Sequence, residues 1–131
     1  MEKTVQFLKD AKIFFIATID GDRPRVRPFG ALNVYNNKLY FISANTKDVF
    51  NQLVKNNNTE ICACTPDGRW IRISGKVEVD NSIEAKKAML DANPDLRMMY
   101  NENDGIMEVF FLKNATSTIS SFTEAPIIEK L

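Results

Sequence analysis

The pattern of hydrophobic and polar positions predicts one helix and then strands in the first part of the chain. Residues 2–11 place apolar side chains at helical spacing among charged ones. The run from Ile13 to Ile19 is rich in β-branched and aromatic residues and ends at a turn around Gly21, which indicates a buried strand. An arginine-rich strand is expected to follow and to run to about Tyr35.

A hairpin and a second helix are predicted next. Asn36-Asn37 is typical of a tight turn and leads into a strand over Lys38–Ser43. Three strands joined by such short turns are expected to pair antiparallel as a meander. A helix with an apolar stripe should then run to about Lys55, with Thr46 as a plausible N-terminal cap.

The middle of the chain contains the clearest strand pattern. A short strand is predicted from Glu60 to Thr65, and alternation is strict from Arg69 to Val79. The odd positions of this second strand are apolar and should face the core. The even positions carry Trp70 and Arg72, two residue types that are enriched at protein interfaces.

The last part of the chain predicts two short helices and further strands. Ser82 should cap a helix that runs to Leu90, and Asn93-Pro94 should begin a short one. Two strands are expected, over residues 107–112 and 115–122, and the tail after Pro126 is expected to be loose. About seven strands, mostly joined by hairpins, favour a mainly β fold, a closed or split antiparallel β-barrel with added helices.

Composition limits the classes of protein to consider. The 131 residues predict a single domain over 1–131, and a hydrophobic fraction of 44% is enough for one core. Seventeen basic and seventeen acidic residues cancel, which argues against a general nucleic-acid binder. No apolar run is long enough to span a bilayer, and the N-terminal residues lack the apolar block of a signal peptide. We therefore expect a cytoplasmic protein without membrane partners.

The residue types that are absent limit the chemistry. The chain has no histidine, so it has neither a Ser-His or Cys-His nucleophile pair nor a histidine metal ligand. Cys62 and Cys64 lie within an apolar run and are predicted to be buried structural thiols, in preference to a redox or metal role. We expect no metal site, and any catalysis should depend on a cofactor.

A row of cations is the main candidate binding feature. Alternate residues of a strand share a face, so Phe29 should continue a row formed by three arginines. Pro24 and Pro28 cannot donate to a sheet, which predicts an edge strand or a bent one. The row suits an anionic ligand with an apolar ring, although a solvated strand face would also explain it. The three arginines are Arg23, Arg25 and Arg27.

Lys47 is a second candidate for a residue that binds an anion. It is predicted in the first turn of a helix, where the helix dipole disfavours a cation. A bound anion would resolve this conflict, because the free N–H groups at a helix start bind phosphate. A side chain that points into solvent would resolve it too.

The order of these parts resembles the pyridoxamine 5′-phosphate oxidase-like family, the FMN-binding split barrels. The resemblance covers roughly residues 3–122 and rests on the Asp-Gly turn, the Arg-x-Arg-Pro strand, Phe-Ile-Ser, the Thr-Lys helix start and Trp-Ile-Arg-Ile-Ser-Gly-Lys-Val-Glu. It implies a split antiparallel barrel of Greek-key type that binds FMN. It also implies a homodimer, in which the partner subunit closes the cofactor site.

The resemblance assigns expected roles residue by residue. Arg27 matches the arginine that binds the FMN phosphate, and Arg25 is a second candidate. Lys47 matches the basic residue that also binds the phosphate, with Thr46 beside it. Trp70 and Arg72 lie in the strand that commonly contributes from the partner subunit. The segments expected along the flavin are Pro28 and Phe29 after the arginine, and Phe41, Ile42 and Ser43 at the end of the next strand.

The function implied is an FMN-dependent oxidoreductase that acts on an unidentified small molecule. The chain lacks the C-terminal Trp/Arg segment of true pyridoxamine-phosphate oxidases, so oxidation of vitamin B6 is not expected. It also lacks a histidine found in some nitroimidazole-resistance proteins of the family. The alternatives are a non-catalytic flavin carrier or sensor, and a barrel that binds nucleic acid or another polyanion. No catalytic residue is identified.

Overall fold

The computed structural model describes residues 1–131 and contains eight β-strands. The helices are α1 (Glu2–Ala11), α2 (Asp48–Lys55), α3 (Ile83–Ala92) and a 3₁₀ helix (Pro94–Met98). The strands are β1 (Phe14–Asp20), β2 (Arg23–Phe29), β3 (Leu32–Tyr35), β4 (Lys38–Ala44), β5 (Asn58–Cys64), β6 (Trp70–Asp80), β7 (Met107–Ser120) and β8 (Ile127–Lys130).

All strands belong to one antiparallel sheet, which forms a split barrel that is not closed. The strand order is β2-β1-β5-β6-β7-β4-β3, and β8 pairs with β7. The predicted strand to Tyr35 is therefore two strands. The antiparallel pairing of β1 with β2 and of β3 with β4 is confirmed, but these strands do not form one meander. The chain leaves β2 at one edge of the sheet and enters β3 at the other, with only Gly30 and Ala31 between them.

The prolines and the Asn-Asn turn act as the sequence predicts. Pro24 and Pro28 lie in β2, which pairs only with β1 and is an edge strand. Asn36 and Asn37 both have positive φ, 49° and 60°, which is the geometry of the tight hairpin between β3 and β4.

Residues 107–122 were expected to form two strands, but β7 is one long strand with a bulge. Asn114 has a φ of 51°, and the pairing with β6 shifts between Ser74 and Lys76. Two residues of β7 therefore oppose Gly75. A Cβ atom on Gly75 would lie 2.6 Å from the Cβ of Ala115, so only glycine fits there.

The tail after Pro126 is ordered, contrary to expectation. Residues 127–130 form β8, which pairs with residues 116–119 in the second half of β7, with Ile127 opposite Ile119. The Glu129 carboxylate then accepts hydrogen bonds from the backbone N–H groups of Lys3 and Thr4. The last strand thereby fixes the start of α1.

The core has two parts. Eighteen buried residues fill the barrel, among them Ile71 and Ile73 of β6, which confirms the predicted core face of that strand. A smaller cluster of eight lies between the sheet and α3, and it includes Met89 and Phe111. The Ser82 hydroxyl accepts a hydrogen bond from the third residue after it, so the predicted cap of α3 is confirmed.

Two local predictions are wrong. Cys62 and Cys64 are exposed, because Ile61 and Ala63 take the core-facing positions of β5. Thr46 does not cap α2, since the N-cap residue is Lys47 and no side chain provides a cap. No helix is both long enough and apolar enough to cross a membrane.

Candidate functional site

A cavity of about 630 Å³ lies where the end of β2, the end of β4 and the start of α2 meet the segment after α3. This volume falls within the usual range for small-molecule sites. The structure brings together in its lining many of the residues predicted to contact a cofactor. They are Arg27, Pro28, Phe29, Ile42, Ser43 and Lys47.

Arg27 is half-buried and held in place by the interior of the protein. Its guanidinium donates to the backbone oxygen of Ile16 (3.1 Å), to Thr18 Oγ1 (2.8 Å) and to Gln52 Oε1 (2.8 Å). Burial lowers the pKa of Arg27, the charge of Arg25 lowers it further, and Asp48 opposes both. A guanidinium remains protonated in proteins, so a cation is fixed beside the start of α2.

Lys47 and the start of α2 add further positive character. Lys47 is the exposed N-cap residue, with extended backbone angles (φ −97°, ψ 144°). The first N–H groups of a helix have no acceptor within it, and here no side chain caps them. Asp48 in the first turn balances only part of this charge. The arrangement suits an anionic group at this end of the cavity.

Ser43 and Glu108 provide polar atoms without partners. Ser43 is 4% exposed and lines the cavity, yet its Oγ makes no hydrogen bond. Glu108 lies directly opposite on β7, and its buried Oε2 also lacks a partner. Because buried polar atoms are nearly always paired, the Ser43 hydroxyl indicates a place for a ligand with hydrogen-bonding groups, whereas Glu108 is not part of the cavity lining.

The wall facing β2 was missed by the sequence analysis. It comes from the end of α3 and the 3₁₀ helix, and it is largely apolar. The helix start at Asn93-Pro94 was predicted correctly, but nothing in the sequence indicates that it lies against a strand far away in the chain. The residues of this wall are Ala92, Asn93, Pro94, Asp95, Leu96, Met99 and Tyr100, of which Asp95 is the one acid in the cavity lining.

Three residues predicted near the phosphate or the flavin do not line the cavity. The Arg25 Nε atom lies 3.2 Å from the Asp20 carboxylate on the exposed face. Phe41 is fully buried, and its ring lies between those of Phe14 and Phe110 in the barrel core. Thr46 is exposed in the loop before α2.

Trp70 and Arg72 also lie away from this cavity, because β1 and β5 separate their strand from β2. Trp70 is half-buried, with its ring centroid 5.0 Å from that of Phe122, and Arg72 is exposed. They therefore cannot contact a ligand in the same subunit's cavity. The structure also contains no group of three or more His, Cys, Asp or Glu that could hold a metal ion.

Comparison with known proteins identifies the family. The model of the pyridoxamine 5′-phosphate oxidase family matches residues 1–115. A NimC/NimA family protein from Clostridium acetobutylicum has a crystal structure that is 41% identical, with a TM-score of 0.98, covering 100% of this chain and 92% of that one.

More distant solved structures share the fold. A pyridoxamine 5′-phosphate oxidase-related, FMN-binding protein from Nostoc punctiforme is 15% identical (TM-score 0.68; 99% of this chain and 95% of that one). A heme binding protein from Mycobacterium smegmatis is 12% identical (TM-score 0.73; 95% and 55%). No curated protein sequence matches the chain. Since the family model covers most of the sequence, the chain belongs to the pyridoxamine 5′-phosphate oxidase family.

Proposed function

We propose that this protein binds FMN in the 630 Å³ cavity and acts as an oxidoreductase on a small molecule. One observation carries the proposal: Arg27, Lys47 and the uncapped start of α2 belong to the lining of one cavity, whose other residues are mainly apolar and include a single acid, Asp95. A phosphate joined to an aromatic ring system matches that distribution. The FMN-binding relative from Nostoc punctiforme supports the same cofactor.

In this proposal Arg27 and Lys47 hold the phosphate. The Arg27 guanidinium is already oriented by Thr18 and Gln52, so little side-chain entropy would be lost on binding. Ser43 Oγ would hydrogen-bond the polar chain between phosphate and ring, and this would satisfy its buried oxygen. Bound FMN would supply the electron-transfer chemistry, while the protein binds and orients it.

We also propose that the active unit is a homodimer in which the partner subunit closes the cavity. The outer face of the sheet exposes large apolar side chains, including Phe15 (46% exposed) and Val26 (67%), and Phe122 (89%) in the loop after β7 lies beside Trp70. Trp70 and Arg72 lie on this face of β6. Contiguous exposed apolar surface of this kind marks interaction sites, and a two-fold contact is the commonest solution. Trp70 and Arg72 of the partner subunit would then complete the wall.

Titration of the purified protein with FMN tests the cofactor. Charge-assisted hydrogen bonds contribute about 1.5–3 kcal/mol, so Arg27→Ala and Lys47→Ala should each weaken FMN roughly ten- to a hundredfold. Riboflavin, which lacks the phosphate, should bind both variants as it binds wild type. Arg23→Ala is the matched control, because Arg23 is exposed on the same strand outside the cavity.

Arg27→Lys separates charge from geometry, since it keeps the charge but loses the planar fork that Thr18 and Gln52 orient. The affinity of Arg27→Lys for FMN should lie between that of wild type and that of Arg27→Ala. The phosphate assignment is wrong if both alanine variants retain wild-type affinity for FMN. If the protein binds heme in preference to FMN in a parallel titration, heme becomes the proposed cofactor.

Steady-state kinetics distinguish an oxidoreductase from a flavin carrier or sensor. An oxidoreductase should be reduced by NADH or NADPH without oxygen, and should then pass its electrons to a small-molecule acceptor over many turnovers. A carrier would bind FMN tightly without sustained turnover. The cytoplasmic location stays a prediction.

A further inference from the structure

We propose a second ligand site, for a small organic acid that carries a hydroxyl or N–H donor. It is a cavity of about 470 Å³ between the end of α1, strand β3 and the end of α3. It adjoins the first cavity and shares with it the wall formed by Gly30, Ala92 and Asn93. The side chains specific to it are Leu8, Lys9, Lys12, Leu32, Asn33 and Val34.

The hydrogen-bond acceptor of this site is Asn33. The residue is 8% exposed and lines the cavity, yet its Oδ1 is buried without a hydrogen-bond partner. Leaving such an acceptor unpaired is unfavourable, and native proteins seldom do so. The neighbouring amide cannot pair with it, because Asn93 Nδ2 already donates to the backbone oxygens of Leu32 (3.1 Å) and Met89 (3.2 Å). A donor on the ligand would satisfy Asn33.

The charge of the site comes from Lys9 and Lys12. Both are exposed, and neither ammonium group pairs with a carboxylate. The nearby acid on α1, Asp10, instead accepts a hydrogen bond from Gln6 (2.8 Å). Two unpaired cations at the rim of a cavity favour an anion inside it.

The ligand class follows from these three parts together. The two lysines require an acid group, and Asn33 requires a donor on the same molecule. Val34, which is 46% exposed, offers an apolar surface for its body beside the buried Leu8 and Leu32, and the volume limits it to a small molecule. This site goes beyond the FMN proposal, and it stands whether or not the first cavity binds flavin.

Three matched probes test the assignment. Their binding is measured from the NMR chemical shifts of the Asn33 side-chain amide and the Leu32 methyl groups. 3-Hydroxybenzoate carries both the acid and the donor, benzoate lacks the donor, and 3-hydroxybenzyl alcohol lacks the charge. 3-Hydroxybenzoate should bind at millimolar concentration or tighter. Loss of the hydroxyl should weaken binding about fivefold, and loss of the charge about tenfold or more.

Variants then assign each contact. Lys9→Gln combined with Lys12→Asn should weaken both acids about tenfold but leave the alcohol unchanged. Asparagine is chosen at residue 12 because that position has a φ of 69°, which asparagine tolerates. Asn33→Leu should weaken 3-hydroxybenzoate to the level of benzoate and leave benzoate itself unchanged. Lys76→Gln, which removes an exposed lysine from another part of the sheet, is the matched control.

Clear outcomes would overturn the site. One is the absence of binding by all three probes, and another is an equal effect of Asn33→Leu on all three. If that variant does not fold, the difference between 3-hydroxybenzoate and benzoate on wild type decides the role of the donor. Lys47→Ala should leave 3-hydroxybenzoate binding unchanged, because Lys47 lines only the first cavity. A loss with Lys47→Ala would place the probe in the first cavity and refute the second site, without bearing on FMN.

Discussion

Glu129 connects the last strand to the first helix, and its removal should destabilise the fold in a pH-dependent way. One carboxylate oxygen accepts from the Thr4 N–H (2.8 Å) and the Thr4 hydroxyl (2.6 Å). The other lies 3.2 Å from the Lys3 N–H and 3.2 Å from the Met1 amino group. Because the Thr4 hydroxyl has one proton, the bond between Thr4 and Ser117 must use the Ser117 proton. The carboxylate thus caps α1 from a distant part of the chain.

The size of the effect follows from the pKa. Burial alone would raise the pKa of Glu129, but the hydrogen bonds from Thr4 and Lys3 outweigh it and lower the pKa from 4.5 to about 2. A difference of that size corresponds to about 3 kcal/mol of folding stability at neutral pH. Because the folded pKa is the lower one, this stability is present above pH 4.5 and is lost as the pH falls towards 2.

Urea unfolding of wild type and Glu129→Gln at several pH values tests this. Glutamine keeps the volume and one acceptor oxygen, so we expect a loss of about 2–3 kcal/mol at pH 7. The difference between the two proteins should shrink as the pH falls from 4.5 towards 2, because the unfolded wild type takes up a proton on Glu129 in that range while the folded protein does not. Glu124→Gln is the matched control, since the Glu124 carboxylate is exposed and unpaired. A difference below about 0.5 kcal/mol at pH 7, or one that does not change with pH, would refute the reasoning.

Two further predictions concern the sheet. Gly75→Ala should destabilise the protein by at least about 2 kcal/mol in urea unfolding, because the new Cβ would lie 2.6 Å from Ala115 Cβ. Ala115→Gly should recover little of that loss in the double variant, because the new Cβ would still lie 2.8 Å from the Cα of residue 115, and full recovery would contradict this role of the backbone. Trp70→Ala should shift the proposed dimer towards monomer, by about 2 kcal/mol or more, and weaken FMN in parallel. Light scattering and flavin fluorescence over a dilution series would measure both, and a monomeric wild type that holds FMN tightly would contradict the proposal.

Local structure and the hairpin pairings could be predicted from the sequence, whereas the order of the strands in the sheet could not. The helices and most strands follow from periodicity, and the proline-containing β2 lies at an edge as predicted. The meander was wrong because a short connection normally joins paired strands, and Gly30-Ala31 instead connects opposite edges of a curled sheet. Nothing in those two residues distinguishes the two outcomes. Whether residues 23–35 form one strand or two depends on the pairing of β2 with β1 and of β3 with β4.

Two errors came from residues whose local signal is ambiguous. Lys113-Asn114 has the composition of a turn, but in the structure Lys113 pairs with Lys76, and Asn114 and Ala115 form a bulge opposite Gly75. Cys62 and Cys64 lie among apolar residues, so the run reads as buried on both faces, yet β5 buries only one. In both cases the neighbouring strand sets the environment, and the sequence does not identify that neighbour.

The candidate site was predictable on its charged side and not on its apolar side. Arg27 was identified because it belongs to a row of arginines on one face of a strand. Lys47 was identified because it lies at the start of a helix, where the dipole disfavours a cation. The opposing wall, around Leu96 and Tyr100, carries no comparable signal, since apolar residues in a short helix are ordinary core components. Its role arises only from the position of the 3₁₀ helix against the end of β2.

The split in the sheet explains why both cavities lie where they do. Gly30 and Ala31 carry the chain between the two free edges of the sheet, and the side chains there cannot be covered by a neighbouring strand. Helices and loops cover this region instead and leave one cavity on each side of Gly30. The chain as a whole has no net charge, yet the first cavity has two cations and one acid, Asp95, in its lining, and the second has two cations and no acid. The proposed preference of both cavities for anions therefore depends on where the chain places its charges and not on its composition.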